Sequence, residues 1–161
     1  MSHNRPESAP LTPGQQQWLQ HTIETAGWAI IFSAMDAVTV DVPFAYTVGL
    51  TEHDLPEMLI TGVQEAIAGK LLNDLARRAT GGNRFHHEQR ISDLISNFDA
   101  IIVDGPADGL LRPTAAIYLY GPAAVRLQQC VWPDPSGRFP WESAYTMDPA
   151  AQPIIGRVAQ P

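Results

Sequence analysis

Two amphipathic helical patterns and several short apolar segments follow one another irregularly along this chain, and the connections between them are short. A regular strand–helix repeat would indicate a parallel sheet, whereas this irregular order is typical of α+β proteins. The length of 161 residues corresponds to one domain that is large enough to have its own core. The sequence therefore predicts a single α+β domain in which a mainly antiparallel sheet is packed by two principal helices.

The two principal helices are predicted from their ends and their apolar stripes. The first begins with a capping-box pattern at residues 12–15, ends at Gly27, and is expected to bury Trp18 against the sheet. The second is predicted over residues 64–80, with Ile67 as a member of its apolar stripe. These two helices should carry most of the packing on the sheet.

Strands are predicted over residues 28–35, 43–50, 57–63, 100–104 and 124–132. Residues 36–41 are predicted to connect the first two strands, which should pair with each other. In the second strand the small residues Ala45, Thr47 and Gly49 share one face. This face indicates a helix packed closely on the strand or, alternatively, a bound ligand.

Two segments are harder to assign. Residues 91–97 fit one helical turn, with residues 84–90 as a loop or an edge strand. Residues 113–120 fit either a strand or a short helix, and the flanking proline and glycine residues favour the helix. The domain is predicted over residues 12–147, between a disordered tail at 1–11 and an extended tail at 148–161.

Composition excludes several classes of protein. The net charge of -7 argues against a partner made of duplex nucleic acid, which usually meets a basic face. The single cysteine, Cys130, excludes an internal disulfide and a cysteine-based zinc site, and is expected to be a buried, inert thiol. There is neither an apolar run of about 18 residues nor the apolar core of a signal peptide, so the protein is predicted to be cytoplasmic, with no membrane partner.

The most unusual stretch is residues 132–142, which contains two tryptophans, a phenylalanine and three prolines. Asp134 and Arg138 are four residues apart across its turn, a spacing that allows an ion pair. One interpretation is a rigid lid over the core, and the other is an aromatic rim that binds a ligand or a partner protein. Asp104 and Asp108, beside another loop, are interpreted as turn-forming residues.

The remaining motifs give no strong chemical signature. The histidines at 53, 86 and 87 lack metal-ligand spacing, so no metal site is predicted, and no cofactor is predicted either. A nucleophile elbow and a phosphate-binding loop are also missing from the sequence.

Several segments together resemble a bacterial family. The segments are residues 44–50, 55–57, 71–76, 128–134 and 137–141. They are similar to the domain of unknown function 4262, and the resemblance spans residues 27–142. It implies a small single-domain protein of a type common in actinobacteria, with a shared fold. The resemblance implies no activity.

The leading hypothesis is a non-enzymatic module that binds a small molecule or a protein partner between residues 46–57 and the loop at 132–141. The predicted site residues are Tyr46, Thr47, His53, Glu57, Trp132, Asp134, Arg138 and Trp141. One alternative is a hydrolase-like enzyme with His53 or Glu57 as base and Arg138 as anion stabiliser. Another is a flavin or nucleotide binder. The sequence also allows a homo-oligomer.

Overall fold

The computed structural model describes residues 11–33, 42–109 and 111–159. The helices are α1 (Pro13–Ala26), α2 (Glu65–Thr80) and α3 (Thr114–Tyr120). The strands are β1 (Ala29–Ser33), β2 (Phe44–Val48), β3 (Glu57–Thr61), β4 (Arg90–Ile95), β5 (Phe98–Gly105) and β6 (Leu127–Val131). Short 3₁₀ turns lie at Leu50–His53 and Pro149–Ala151. The predicted connection at 36–41 and the end of the first predicted strand lie outside the described residues.

One sheet contains all six of these strands, in the order β1-β2-β3-β6-β5-β4. Neighbouring strands are antiparallel except β3 and β6, which run parallel with Glu57 beside Leu127. The prediction of an α+β domain with a mainly antiparallel sheet is confirmed. The parallel pair matters for function because it places the beginnings of two strands that are distant in sequence side by side.

The sheet is covered on both faces. α2 packs on the face that carries Ala45, Met58 and Ile102, which confirms a helix against the small residues of β2. α1 and α3 cover the opposite face around Tyr46 and Leu59. The face under α2 buries one apolar cluster and the opposite face buries two, the second of which includes Val131 and Phe139. This burial is the main source of stability.

Both principal helices begin and end close to the predicted positions, but one residue assigned to the apolar face of each helix is exposed. Thr12 forms the capping box, and Gly27 ends α1 with a φ of 92°. Trp18 is 51% exposed, whereas its neighbour Leu19 is buried. Ile67 is 49% exposed in α2. The predictions for Trp18 and Ile67 were therefore wrong, because each of the two residues lies at the margin of the buried face of its helix.

Residues 91–97, predicted as a helical turn, instead contribute to strand β4. The pairing of β4 with β5 shifts register between Ile91 and Ile95, as at a β-bulge. The irregularity brings Ile91 and Leu94 into the same core cluster, three residues apart. This spacing imitates a helix in the sequence, which explains the error. The short helix favoured for 113–120 is present as α3.

The segment after residue 148 is held on the sheet by two buried glutamines. The amide of Gln152 donates to the carbonyl oxygen of Trp132 at 2.8 Å and accepts from the Trp132 N–H at 2.9 Å. The amide of Gln129 donates to the Pro153 carbonyl oxygen at 2.8 Å and accepts from the Ile155 N–H at 2.8 Å. These contacts satisfy both ends of each buried amide, as buried polar groups require.

The same segment lies directly against the end of β5. A Cβ atom on Gly156 would lie 1.9 Å from the carbonyl oxygen of Asp104, so only glycine permits this approach. A Cβ atom on Gly105 would likewise lie 2.7 Å from the carbonyl oxygen of Ile155. The segment therefore supports the strand end that carries Asp104.

Candidate functional site

Glu57 is a fully buried carboxylate at the beginning of β3. It accepts hydrogen bonds from Thr47 Oγ1 at 2.8 Å and from the backbone N–H groups of Gly49, Leu50 and Thr51 at 3.3, 3.1 and 2.9 Å. The hydroxyl of Thr51 also donates to it. The carboxylate thereby fixes the turn after β2, where Gly49 has a φ of 128°. Five donors satisfy the oxygens of Glu57 completely.

This environment gives Glu57 a structural role. Burial raises the pKa of Glu57, and the hydrogen bonds from Thr51, Thr47 and Leu50 oppose that shift. Its side chain presents no accessible surface to a substrate. His53 is exposed in the 3₁₀ turn, while Arg138 is exposed beyond the far end of β6. The structure thus does not assemble the arrangement that the hydrolase-like alternative needs.

The Tyr46 hydroxyl is also used within the fold. It accepts a hydrogen bond from the Ala115 N–H at 3.0 Å, and so links β2 to the first turn of α3. Desolvation by burial raises the pKa of Tyr46 to about 12, although the hydrogen bond from Ala115 opposes the shift. The side chain is 3% exposed, so it contacts the core and no solvent-filled space.

Asp134 organises the loop at residues 132–142. Its carboxylate accepts from the backbone N–H groups of Ser136, Arg138 and Thr146 at 2.9, 2.8 and 2.8 Å, and from Thr146 Oγ1 at 2.7 Å. Desolvation raises the pKa of Asp134, but these hydrogen bonds outweigh it and lower the pKa to about 2. The predicted ion pair was wrong, because Asp134 binds the backbone of Arg138 and the guanidinium is exposed.

The aromatic side chains of this loop pack against the residues of the sheet. Trp132 Nε1 donates to the carbonyl oxygen of Thr61 at 2.8 Å. Phe139 is buried and stacks on Trp141 with 5.2 Å between ring centroids. The guanidinium of Arg90 lies 5.4 Å from the centroid of the Phe139 ring. The loop thus covers the outer part of the sheet, as in the lid interpretation.

The predicted site residues do not line a common pocket. In the parallel β3–β6 pair, Glu57 lies beside Leu127 at the beginning of the strands, whereas Trp132 follows their end. From Leu127 to Trp132 the chain advances by five residues, which in a strand is a distance of roughly 16 Å. His53 and Glu57 therefore lie toward the end of the sheet where β3 and β6 begin. Trp132 and the rest of its loop lie toward the opposite end, where these strands stop.

A cleft with a volume of about 520 Å³ opens at the end of the sheet where β3 and β6 begin. The end of α2, the loop that follows it, and the end of β5 complete its walls. Its lining residues are Asp54, Leu55, Pro56, Met58, Ala79, Asn83, Arg84, Phe85, Asp104, Gly105, Arg126, Leu127 and Gln128. None of the residues predicted for the site lines it, although His53 and Glu57 are adjacent in sequence to residues that do.

Charged groups of both signs surround the cleft. Arg126 donates to the carbonyl oxygen of Asp54 at 2.7 Å and to its carboxylate at 3.2 Å. Arg84 donates to the carbonyl oxygen of Ala79 at 3.4 Å. Asp104, interpreted from sequence as a turn former, lies in β5, and its Oδ1 accepts from Gln128 Nε2 at 2.8 Å. The sequence did contain these charges, but nothing in it indicated that they would meet.

Within residues 11–33, 42–109 and 111–159, no group of three or more histidine, cysteine or acidic residues is placed to hold a metal ion. Cys130 is buried, as predicted, and burial raises the pKa of its thiol to about 12, so it is an inert thiol at neutral pH. Of the helices in the described part of the chain, none is both long and apolar enough to cross a membrane.

Comparison with known proteins gives one match. The family model for a domain of unknown function, DUF4262, matches residues 22–146. No curated protein and no solved structure matches the chain. The match includes β2, α2 and the whole loop at residues 132–142, which contain most of the segments that carry the resemblance in the sequence.

Proposed function

We propose, for a chain that belongs to the DUF4262 family, a cytoplasmic, non-enzymatic function in which a small polar molecule binds in the cleft at the beginning of β3 and β6. The family description names no activity, so the support comes from the cleft itself. The observation that carries the proposal is a concave site in which several charged side chains have hydrogen-bonding capacity to spare. Such sites are the usual locations of small ligands.

The two arginines are available to a ligand. A guanidinium has five N–H donors, and Arg84 uses one of its own in a long contact with Ala79. The ion pair between Arg126 and Asp54 is exposed on both sides. An exposed pair of this kind contributes only about 0–1 kcal/mol, so a ligand anion can replace Asp54 at low cost.

The lining favours binding over catalysis. Catalysis by a hydroxyl, thiol or amine nucleophile requires that group within hydrogen-bond reach of a base. The described side chains that line the cleft are carboxylates, guanidiniums, amides and apolar groups, with no hydroxyl, thiol or imidazole among them. These groups can hold and orient a molecule, and this supports a binding module.

Native mass spectrometry tests the proposal on two samples. The first is protein purified from the organism that encodes it. The second is purified protein that has been exposed to the small-molecule fraction of that organism's lysate. We expect a retained mass of a few hundred daltons on the unmodified protein. Arg126→Ala should lose it, because a cleft donor is removed. Arg138→Ala is the matched control, since it removes an exposed guanidinium from the aromatic loop.

Two results would contradict the proposal. One is the absence of a retained small molecule from the unmodified protein in both samples. The other is retention by Arg126→Ala. If Arg138→Ala loses the molecule as well, the site lies at the loop of residues 132–141 instead.

A further inference from the structure

Asp104 presents a negative group at a fixed position in the cleft. It lies opposite Gln128 in the β5–β6 register. Gln128 Nε2 donates both to the Phe85 carbonyl oxygen at 2.9 Å and to Asp104 Oδ1 at 2.8 Å, which orients the carboxylate. A carboxylate has about four lone-pair positions, and Gln128 is the one side-chain donor to Asp104 among the described residues. The exposed side chain can therefore accept hydrogen bonds from a cationic group.

Positive groups lie on the other side of the same cleft. Arg126 precedes Gln128 by two residues, and both side chains line the cleft. Arg126 directly precedes β6 and is therefore diagonal to Asp104, the partner of Gln128 in β5. Paired strands place side chains at such diagonal positions roughly 7 Å apart. Arg84 extends from the loop after α2 and adds a second guanidinium. The two arginines and the two aspartates, Asp54 and Asp104, leave the cleft with no excess of either charge.

Apolar surface separates these charges. Pro56 and Phe85 line the cleft and are half-buried, so part of each ring is available to a ligand. A ligand side chain on these rings would bury apolar area on binding, at about 25 cal/mol per Å². An aromatic side chain of the ligand would also gain affinity by packing against the edge or the face of the Phe85 ring.

We propose that the molecule bound in the cleft is a free α-amino acid with a large apolar side chain, its ammonium at Asp104 and its carboxylate at Arg126 and Arg84. This inference rests on the proposed function and specifies the ligand class. A ligand that carries both charges close together matches a carboxylate at the end of β5 and a guanidinium directly before β6. A ligand with only a negative charge would be repelled by Asp104. A ligand with only a positive charge would give the two arginines no new partner.

The test is calorimetric titration with three probes that differ at one group each: L-phenylalanine, N-acetyl-L-phenylalanine and L-phenylalaninamide. Acetylation removes the ammonium and amidation removes the carboxylate, so each change should weaken binding at least about tenfold, as for charged hydrogen bonds. Asp104→Asn should weaken binding of L-phenylalanine by a similar factor and leave the acetylated probe unaffected. Asp108→Asn, at an exposed aspartate outside the cleft, should leave the affinity for L-phenylalanine unchanged.

The outcomes separate this inference from the proposed function. Equal binding of the three probes, or no binding of any of them at millimolar concentration, overturns the amino-acid ligand. If a molecule from the lysate fraction still binds and is lost from Arg126→Ala, the proposed function stands and only the ligand class is wrong. If Arg126→Ala loses neither ligand, both proposals fail.

Discussion

Glu57→Ala is expected to lower the free energy of unfolding by about 3 kcal/mol or more. The substitution removes the acceptor for the buried N–H groups of Gly49 and Leu50 and for the hydroxyl of Thr47. These donors lie in the interior, where water does not replace the lost partner. Urea unfolding followed by circular dichroism measures the change from the shift in midpoint.

Glu65→Ala is the control for this variant. Glu65 is exposed in the first turn of α2, so its loss should lower the free energy of unfolding by at most about 1 kcal/mol. A Glu57→Ala protein as stable as Glu65→Ala would show that the turn after β2 does not depend on the buried carboxylate.

Asp134→Asn is expected to lower the thermal midpoint at pH 7 by several degrees. The amide keeps one oxygen acceptor, but its NH₂ group must face either Thr146 or the N–H groups of Ser136 and Arg138, all of which donate. The pKa of Asp134 falls from 3.8 to about 2 on folding, so its stabilising effect is present above the unfolded value. That effect is lost as the pH falls through about 2.

The difference between Asp134→Asn and the unmodified protein should therefore be largest at neutral pH and shrink below about pH 4. Thermal scans at pH 7, 4, 3 and 2 would measure it, with Asp108→Asn as an exposed control. A difference that stays constant across this range would mean that the ionised form of Asp134 contributes nothing to the loop.

Both of these carboxylates were predicted from sequence as site residues, and this shows where sequence reasoning reaches its limit. An acidic residue beside a predicted turn looks the same in the sequence whether it binds a ligand or accepts hydrogen bonds from the backbone. Only the contacts of Glu57 and Asp134, each with at least four donors, identify them as structural. Local chemistry predicts that such groups matter, while their partners are decided by tertiary structure.

The parts of the fold that depend on neighbouring residues were predictable. The caps of α1, the alternation in β2 and the short helix at α3 all follow from local rules. The order of strands and the β4 irregularity depend on pairing between distant segments, which one sequence does not specify. The cleft is of this second kind, because Asp54, Arg84, Asp104 and Arg126 meet only through the parallel pairing of β3 with β6 and the position of β5.

A crystal structure of the protein with the small molecule it retains is the most direct test of the cleft as the binding site. The account predicts ligand density in the cleft, where β3 and β6 begin and where α2 and β5 end, within hydrogen-bond distance of Arg126 and Asp104. Density for the retained molecule against Trp132 or Trp141, with the cleft holding only water, would contradict it.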